Sequence, residues 1–247
     1  MTDYVDYDRR DWRTDPGAAF EEAQRRITLS LESDDPDVYE IIDLSDLVAL
    51  QRLPSEFANL NRLKEAYLGS RGTHGRPRFA PMRLGDIAAL ENMTGLSFLD
   101  LSRTQITDLA RIHHLLSLTH LNLCHVAMNG TAPIRRMVEL RTLDLSYSRF
   151  TSVRALSRLK SLKSLTLRAT RVKDISALAN HKTLTSLDLS ETAVSDISPL
   201  KKLAALASLN LDRTQVSDLS VLLNLETYAN EAAQALSIPD IPATLPT

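Results

Sequence analysis

The sequence predicts an α/β fold: a right-handed solenoid with a parallel sheet on its concave face and short helical turns on its convex face. Three observations predict it, namely 43 leucines among 247 residues, an aromatic content of only 5%, and a motif that recurs every 22 residues. Six copies of this motif begin at residues 96, 118, 140, 162, 184 and 206. Because one copy cannot bury its own leucines, neighbouring copies are expected to stack.

Each copy has two halves that differ in the spacing of their apolar residues. With the first leucine counted as position 0, leucine occupies positions 0, 3 and 5 in all six copies. This alternation predicts a short strand whose side chains at positions 2 and 4 face outward. Apolar residues then recur at every third residue, the spacing of a 3₁₀ turn, and His181 at position 19 is expected at the convex rim. Aspartates stand before this turn, where a carboxylate caps free backbone amides, at Asp108, Asp174, Asp196 and Asp218.

The consensus LxxLxLxxTxVxDIxxLxxLxx resembles the 22-residue leucine-rich repeat of the internalin type over residues 39–227. That family usually carries asparagine at position 8, whereas five of the six copies here carry serine or threonine and one carries Val126. A hydroxyl still bonds a nearby backbone group, but valine has no polar atom to do so. The resemblance implies a bacterial, intracellular, non-enzymatic repeat protein. Modules of this family act as the sensing or targeting part of signalling, defence or effector systems.

The repeats occupy the middle of the chain. About eight of them are expected over residues 39–227, with an insertion near residues 71–83. The insertion holds no acidic residue and four arginines: Arg71, Arg76, Arg78 and Arg83.

The two ends are predicted to be caps. Residues 1–38, with a net charge of −6, are expected to form an acidic arm and a capping helix that has Asp15 as its N-cap. The helix is expected to cover the open edge of the first strand with the apolar residues Phe20, Ala23, Ile27 and Leu31. Residues 228–247 are expected to form a C-terminal cap and a proline-rich tail.

Composition excludes several classes of function. The net charge of −2 gives no global electrostatic case for nucleic acid or an anionic membrane. A single cysteine, Cys124, excludes an internal disulfide framework. The N-terminus has no apolar run and no stretch of 18 apolar residues occurs, so we expect a cytoplasmic protein without a membrane span. No catalytic, cofactor or metal motif is present, and none of these sites is predicted.

The outward side chains predict where a partner protein binds. Large aromatic and arginine side chains make interface hot spots, and they gather in the second to fifth repeats. The predicted partner-binding residues are Tyr67, Phe98, Asp100, Arg103, His120, Asn122, His125, Asp144, Tyr147 and Arg168.

Two other functions stay open at this point. Cys124 with His120 or His125 suggests a nucleophilic or metal site, although parallel side chains on an open surface do not converge as catalysis requires. The arginine-rich insertion suggests a clamp for an anionic partner or for the protein's own acidic arm, or simply a tolerated loop. Nucleic acid is disfavoured because the insertion lacks stacking aromatics, and self-association stays open.

Overall fold

A computed structural model describes residues 14–70, 81–127 and 132–224. The chain divides into two compact units, which we call unit one (Met1–Leu118) and unit two (Thr119–Thr247). The expected C-terminal cap, most of the acidic arm, and Arg71, Arg76 and Arg78 of the insertion lie outside the described residues.

Unit one begins with two helices and continues with three strands. The helices are α1 (Pro16–Glu32) and α2 (Pro36–Tyr39), and the strands are β1 (Ile41–Asp43), β2 (Glu65–Tyr67) and β3 (Phe98–Asp100). The strands are parallel and in register, so that Ile42, Ala66 and Leu99 stand side by side. A 3₁₀ turn follows each strand, at Ser55–Asn59, Ala88–Leu90 and Ala110–Ile112.

Unit two repeats the same arrangement more regularly. Its strands are β4 (His120–Asn122), β5 (Thr142–Asp144), β6 (Ser164–Thr166), β7 (Ser186–Asp188) and β8 (Ser208–Asn210). All neighbouring strands of this unit are parallel and in register. The 3₁₀ turns are Ala132–Arg136, Arg154–Arg158, Ser176–Leu178, Ser198–Lys202 and Ser220–Asn224.

The core consists of the leucine columns that the sequence predicts. Leucines at positions 0, 3 and 5 are buried in every copy from Leu96 onward, with Leu211 of the last copy the exception. The apolar residues of the 3₁₀ turns close the core from the other side, as Leu156 and Leu178 do. Burying a leucine contributes about 1.5–3 kcal/mol, so these columns hold the stacked copies together.

The predicted aspartate caps are confirmed. Asp108, Asp174, Asp196 and Asp218 each accept a 2.8 Å hydrogen bond at Oδ1 from the backbone N–H two residues later. Hydrogen bonding to the serine two residues later favours the ionised carboxylate and lowers the pKa of three of them, through the backbone N–H first at Asp174 and Asp196 and through the serine hydroxyl first at Asp218. Each bond orients the chain at the point where the strand half of a copy gives way to the turn.

Helix α1 packs against β1, and Asp15 is its N-cap. Asp15 Oδ1 accepts from the backbone N–H groups of Gly17 and Ala18 at the start of the helix. Arg26 donates to the Asp43 carbonyl oxygen at 2.8 Å, so it occupies a backbone acceptor at the edge of β1. Its guanidinium also contacts the buried Glu22 and both carboxylate oxygens of Asp46.

Those contacts fix the charge states of the cap. Hydrogen bonds from Arg25 and Arg26 outweigh burial and lower the pKa of Glu22, and hydrogen bonding to Asp46 raises the pKa of Arg26. One expectation about this helix is wrong. Leu31 is 38% exposed, because the last turn of the helix packs through Ser30, whose hydroxyl donates to the Val38 carbonyl oxygen.

The expected position of His181 is also wrong. The side chain is fully buried rather than at a rim, with Nδ1 3.2 Å from the Leu178 carbonyl oxygen and Nε2 3.0 Å from that of Leu156. Burial lowers the pKa of His181, and its two carbonyl contacts only partly oppose this. A neutral imidazole carries a single N–H, so His181 donates to one of these two carbonyl oxygens while the rest of the ring fills the place of leucine in the core.

Candidate recognition surface

The turn after five of the six strands from β3 to β8 uses the side chain at position 4, and the turn after β6, where Thr166 stands, is the exception. The position 4 oxygen accepts a hydrogen bond from the backbone N–H two residues later, at distances of 2.8 to 3.0 Å. The residues concerned from β3 onward are Asp100, Asn122, Asp144, Asp188 and Asn210. Three of the predicted partner-binding residues therefore have a local structural role, and Asp100 is buried. The sequence signal for this role was the short polar side chain at one fixed position.

Position 7 has a left-handed backbone in six successive copies. Its φ angles lie between 52° and 60° although none of the six residues is glycine. From His125 to Glu191, the N–H of this residue donates to the position 6 carbonyl of the next copy, as from Tyr147 to Arg168 at 2.9 Å. The conformation is thus held by the turn and not by the side chain. The residues are Arg103, His125, Tyr147, Ala169, Glu191 and Arg213.

Position 8 closes the same turn from inside. Its hydroxyl donates to the carbonyl oxygen of the position 5 leucine, for example from Thr192 to Leu189 at 2.6 Å. Equivalent bonds are made by Thr104, Ser148, Thr170 and Thr214. This confirms that hydroxyls serve where the internalin-type repeat carries asparagine. Val126 has no polar side-chain atom, and only its backbone N–H reaches the Leu123 carbonyl oxygen, at 3.1 Å.

These turns assemble a row of large side chains in unit two. The rings of His125 and Tyr147 stack with centroids 4.3 Å apart and planes 2° from parallel, and the Arg168 guanidinium lies 5.7 Å from the Tyr147 centroid. Arg168 Nη2 then contacts Glu191 Oε1 at 2.8 Å, and Arg213 Nη1 lies 4.0 Å from the same oxygen. We call this row of five residues the unit-two ladder.

The side chains of the unit-two ladder are ordered, but one polar atom in the ladder and one beside it lack a hydrogen-bond partner among the described residues. Tyr147 is 42% exposed, and Arg168 Nε and Ser190 Oγ are buried without a hydrogen-bond partner in the part of the chain that the structure describes. The phenol of Tyr147, and next the carboxylate of Glu191, raise the pKa of Arg168, which stays cationic. The ladder therefore offers an aromatic face and a fixed guanidinium to a partner.

Unit one brings together a separate pair of predicted residues. The rings of Tyr67 and Phe98 lie 4.6 Å apart and inclined by 41°, and the Tyr67 hydroxyl donates to Glu65 at 2.7 Å. Gly69 follows two residues after Tyr67, and a Cβ there would stand 2.3 Å from the Ser102 nitrogen. We call Tyr67 and Phe98 the unit-one pair.

The remaining candidate residues are placed as follows. His120 Nδ1 lies 2.8 Å from Thr119 Oγ1, and Cys124 is half-buried with its N–H bonded to Asn122. Arg83 is exposed, and its N–H donates to the Val48 carbonyl oxygen, so the insertion rejoins the fold at this residue. No cluster of three potential metal ligands occurs within residues 14–70, 81–127 and 132–224.

Sequence reasoning missed two members of the ladder, Glu191 and Arg213. Both occupy position 7, the same column as His125 and Tyr147. Membership of the position 7 column was a sufficient sequence signal to predict that these two residues lie beside His125 and Tyr147. The prediction favoured the middle repeats, where aromatic side chains are frequent, whereas the last two copies carry charged residues at position 7.

Comparisons with known proteins agree with this architecture. No sequence-family model and no curated protein sequence matches the chain. The structure is similar to internalin C2 of Listeria monocytogenes, with a TM-score of 0.71 and 25% identity, covering 85% of this chain and 89% of that one. Internalin F of the same organism gives a TM-score of 0.62 and 28% identity, covering 74% of this chain and 54% of the other. A leucine-rich-repeat protein of Leptospira interrogans shares the fold, with a TM-score of 0.58 and 18% identity, covering 84% and 61%.

The strands, turns and similarities define the class of protein. The chain is an α/β leucine-rich-repeat solenoid, which confirms the predicted fold class. Within that class its resemblance is to the bacterial internalins, which confirms the family resemblance inferred from the 22-residue motif. Neighbours of this kind support a protein-interaction module in general terms. Over the described ranges, no helix is long and apolar enough to cross a membrane.

Proposed function

We propose that this chain is a non-enzymatic recognition module that binds a partner protein through outward side chains of its sheet. The observation that carries the proposal is the unit-two ladder, in which stacked rings and a paired arginine are held in place before any partner arrives. Prior ordering reduces the entropy lost on binding, and aromatic and arginine residues dominate interface energies. The unit-one pair is a second anchor of the same kind.

The chemistry of the ladder favours recognition over catalysis. Its rings stack on each other and its arginine is bound to a carboxylate, so these groups are arranged for contact and not for proton transfer. Family resemblance extends the proposal to a role as the sensing or targeting component of a bacterial signalling, defence or effector system, acting in the cytoplasm. A Cys124→Ser variant with unchanged cellular function would support the absence of a cysteine-dependent reaction.

The proposal is tested by capturing a partner with purified protein and then measuring its dissociation constant. A Tyr147→Ala/Arg168→Ala variant removes the centre of the ladder, and Ala169 shows that alanine is accommodated at position 7. We expect at least tenfold weaker binding, because one hot-spot residue contributes about 2 kcal/mol or more. A matched Ser186→Ala/Ser208→Ala variant of the same sheet face should bind like the parent protein.

The outcomes separate the possible surfaces. Equal loss in a Tyr67→Ala/Phe98→Ala variant would add the unit-one pair to the binding surface. Full retention of a purified partner by both variants, with unchanged circular dichroism, would contradict the proposal. Loss confined to an Arg76→Ala/Arg78→Ala variant would favour the anionic partner of the insertion instead.

A further inference from the structure

The two units carry opposite net charge. Among described residues, unit one has 8 arginines and lysines against 16 acids, a net charge of −8. Unit two has 15 against 8, a net charge of +7. The overall charge of −2 conceals this asymmetry. A strongly positive unit attracts anionic partners whatever the charge of the whole chain.

The cations of unit two are concentrated along one edge of its sheet. Nine of the fifteen lie either in the last residues of a 3₁₀ turn or in the segment that leads from the turn into the next strand, and all nine are exposed. The only acid in these segments is Glu139. We call them together the basic edge, and they comprise residues 135–141, 158–163, 182–185 and 201–202.

The backbone brings these segments side by side. The Lys163 N–H donates to the Arg141 carbonyl oxygen at 2.8 Å, and the Thr183 hydroxyl donates to the Lys160 carbonyl oxygen at 2.6 Å. Neighbouring strands lie about 4.8 Å apart, so the basic edge spans roughly 15 Å across β5 to β8. An extended peptide of about five residues covers that distance.

The charges of the basic edge are not neutralised within the chain. None of its nine cations forms an ion pair in the part of the chain that the structure describes, whereas Arg168 and Arg213 of the ladder both pair with Glu191. Clustered like charges repel one another and so oppose folding, and an anionic partner relieves this repulsion. The charge pattern therefore selects an acidic ligand.

One exposed apolar residue in the basic edge favours a polypeptide ligand over a nucleic acid. Val138 is 47% exposed in the middle of the first segment, where an apolar side chain of a partner can cover it. The four segments contain no aromatic side chain on which bases could stack. Lysine, which recognises charge without directional specificity, supplies five of the nine cations.

We infer that the basic edge of unit two binds an acidic polypeptide segment that carries an apolar residue, at a surface distinct from the ladder. This inference rests on the proposed function, because it assumes that the partner is a protein. It adds the chemistry of that partner: carboxylates opposite Arg141, Lys160, Lys163 and Lys182, and an apolar side chain opposite Val138.

Fluorescence anisotropy of the full chain with a labelled peptide of about eight glutamates around one leucine tests the inference. In a Lys160→Glu/Lys163→Glu/Lys182→Glu variant we expect at least tenfold weaker binding. The matched control, Arg149→Glu/Arg171→Glu/Lys173→Glu, makes the same change in net charge at exposed sites of unit two outside the basic edge. It should weaken binding less than threefold at about 150 mM salt, where charges beyond about 8 Å are screened.

Three outcomes would overturn the inference. They are equal losses in the two charge-reversal variants, binding of duplex DNA as tight as that of the peptide, and a Val138→Ser variant that still prefers the leucine peptide over an all-glutamate peptide as strongly as the parent protein does. All variants retain Tyr147 and Arg168, so a failure here leaves the test of the ladder intact. Circular dichroism and the urea midpoint confirm folding in each case.

Discussion

Unit two builds every turn after a strand in nearly the same way, and unit one does not. In unit two, position 4 caps the turn, position 7 is left-handed and position 8 closes it with a hydroxyl, and only Thr166 and Val126 depart from this scheme. In unit one only the turn after β3 has all three features. The turn after β2 instead relies on Gly69, and that after β1 is held by Arg26.

The comparison shows two ways in which a turn after a strand is held in place. Where the turn is regular, its conformation depends on backbone and position 8, and position 7 is free to carry His125, Tyr147 or Glu191. Where the turn is irregular, contacts of individual residues stabilise it. After β1, for example, Asp46 accepts hydrogen bonds from Arg26 of helix α1 and is not available to a partner. Regular turns therefore leave more side chains available for a partner.

The largest effect is expected for Gly69→Ala in unit one. The added Cβ would lie 2.3 Å from the Ser102 nitrogen and 2.6 Å from Asp100 Oδ1, so the neighbouring turn must move. Overpacking of this kind costs about 3 kcal/mol, to be measured by urea unfolding. Gly85→Ala is the control, because its nearest contact would be 3.9 Å away and its cost should stay within about 0.5 kcal/mol. Equal stability of the two variants would contradict the special role of Gly69.

A smaller effect is expected when the position 8 hydroxyl of unit two is removed. Thr192→Val deletes the bond to the Leu189 carbonyl oxygen and should lower the free energy of unfolding by about 1 kcal/mol. The reverse change, Val126→Thr, should raise it, because the Leu123 carbonyl oxygen lies at the equivalent place. Urea midpoints check both. A loss of stability in Thr192→Val together with a gain in Val126→Thr would support the role of the hydroxyl. Changes of the same sign in both variants would show that packing of the methyl groups, and not the hydrogen bond, determines stability at position 8.

A gain in stability is expected for Ala169→Gly. The alanine has φ 53°, a conformation that disfavours residues with a Cβ and that glycine adopts freely. Glycine removes this conformational cost, but it also loses more backbone entropy on folding than alanine does. The net effect should be a rise of about 0.5 to 1 kcal/mol in the free energy of unfolding. Ala193→Gly, at a position without positive φ, is the control and should destabilise. No gain at Ala169 would mean that the turn carries no strain.

The smallest effect concerns the pH dependence of unit two. Burial lowers the pKa of His181 in the folded chain, so the unfolded chain binds the proton more tightly. The stability that the neutral imidazole contributes is fully present above 6.5, the ordinary pKa of histidine, and is lost as the pH falls below it.

Urea unfolding between about pH 7.5 and pH 5.5 measures this loss. His181→Leu should flatten the dependence, since leucine occupies the same position at Leu159 and Leu203. An exposed-site control, His114→Asn, should keep the parent slope. Equal slopes for the parent and His181→Leu would refute the assignment.

The sequence predicted those features that depend on periodicity. Leu143, Leu165 and Leu187 are buried because their spacing allows no other arrangement, and the Asp174 cap follows from its place before a 3₁₀ turn. It did not predict the left-handed backbone at Tyr147, because that conformation usually requires glycine or asparagine and here comes from hydrogen bonds between copies.

The candidate site was also predictable in part, because the periodicity of the repeat determines which residues share a face. Tyr67 with Phe98, and His125 with Tyr147, were expected to lie on one face, and the structure brings each pair into contact. The burial of Asp100 depends on how closely Gly69 approaches it, which no spacing rule contains. Whether these residues bind a partner stays a prediction.

The left-handed column at position 7 has a consequence for how this protein can change over time. Residues as different as Ala169, Arg103 and Tyr147 adopt the same backbone there, so the fold places little selection on their identity. Mutations at this column can alter binding preference at little cost in stability, and duplication of a 22-residue copy would add one more variable site. The residues that determine binding specificity can therefore change during evolution while the residues that determine the fold stay the same.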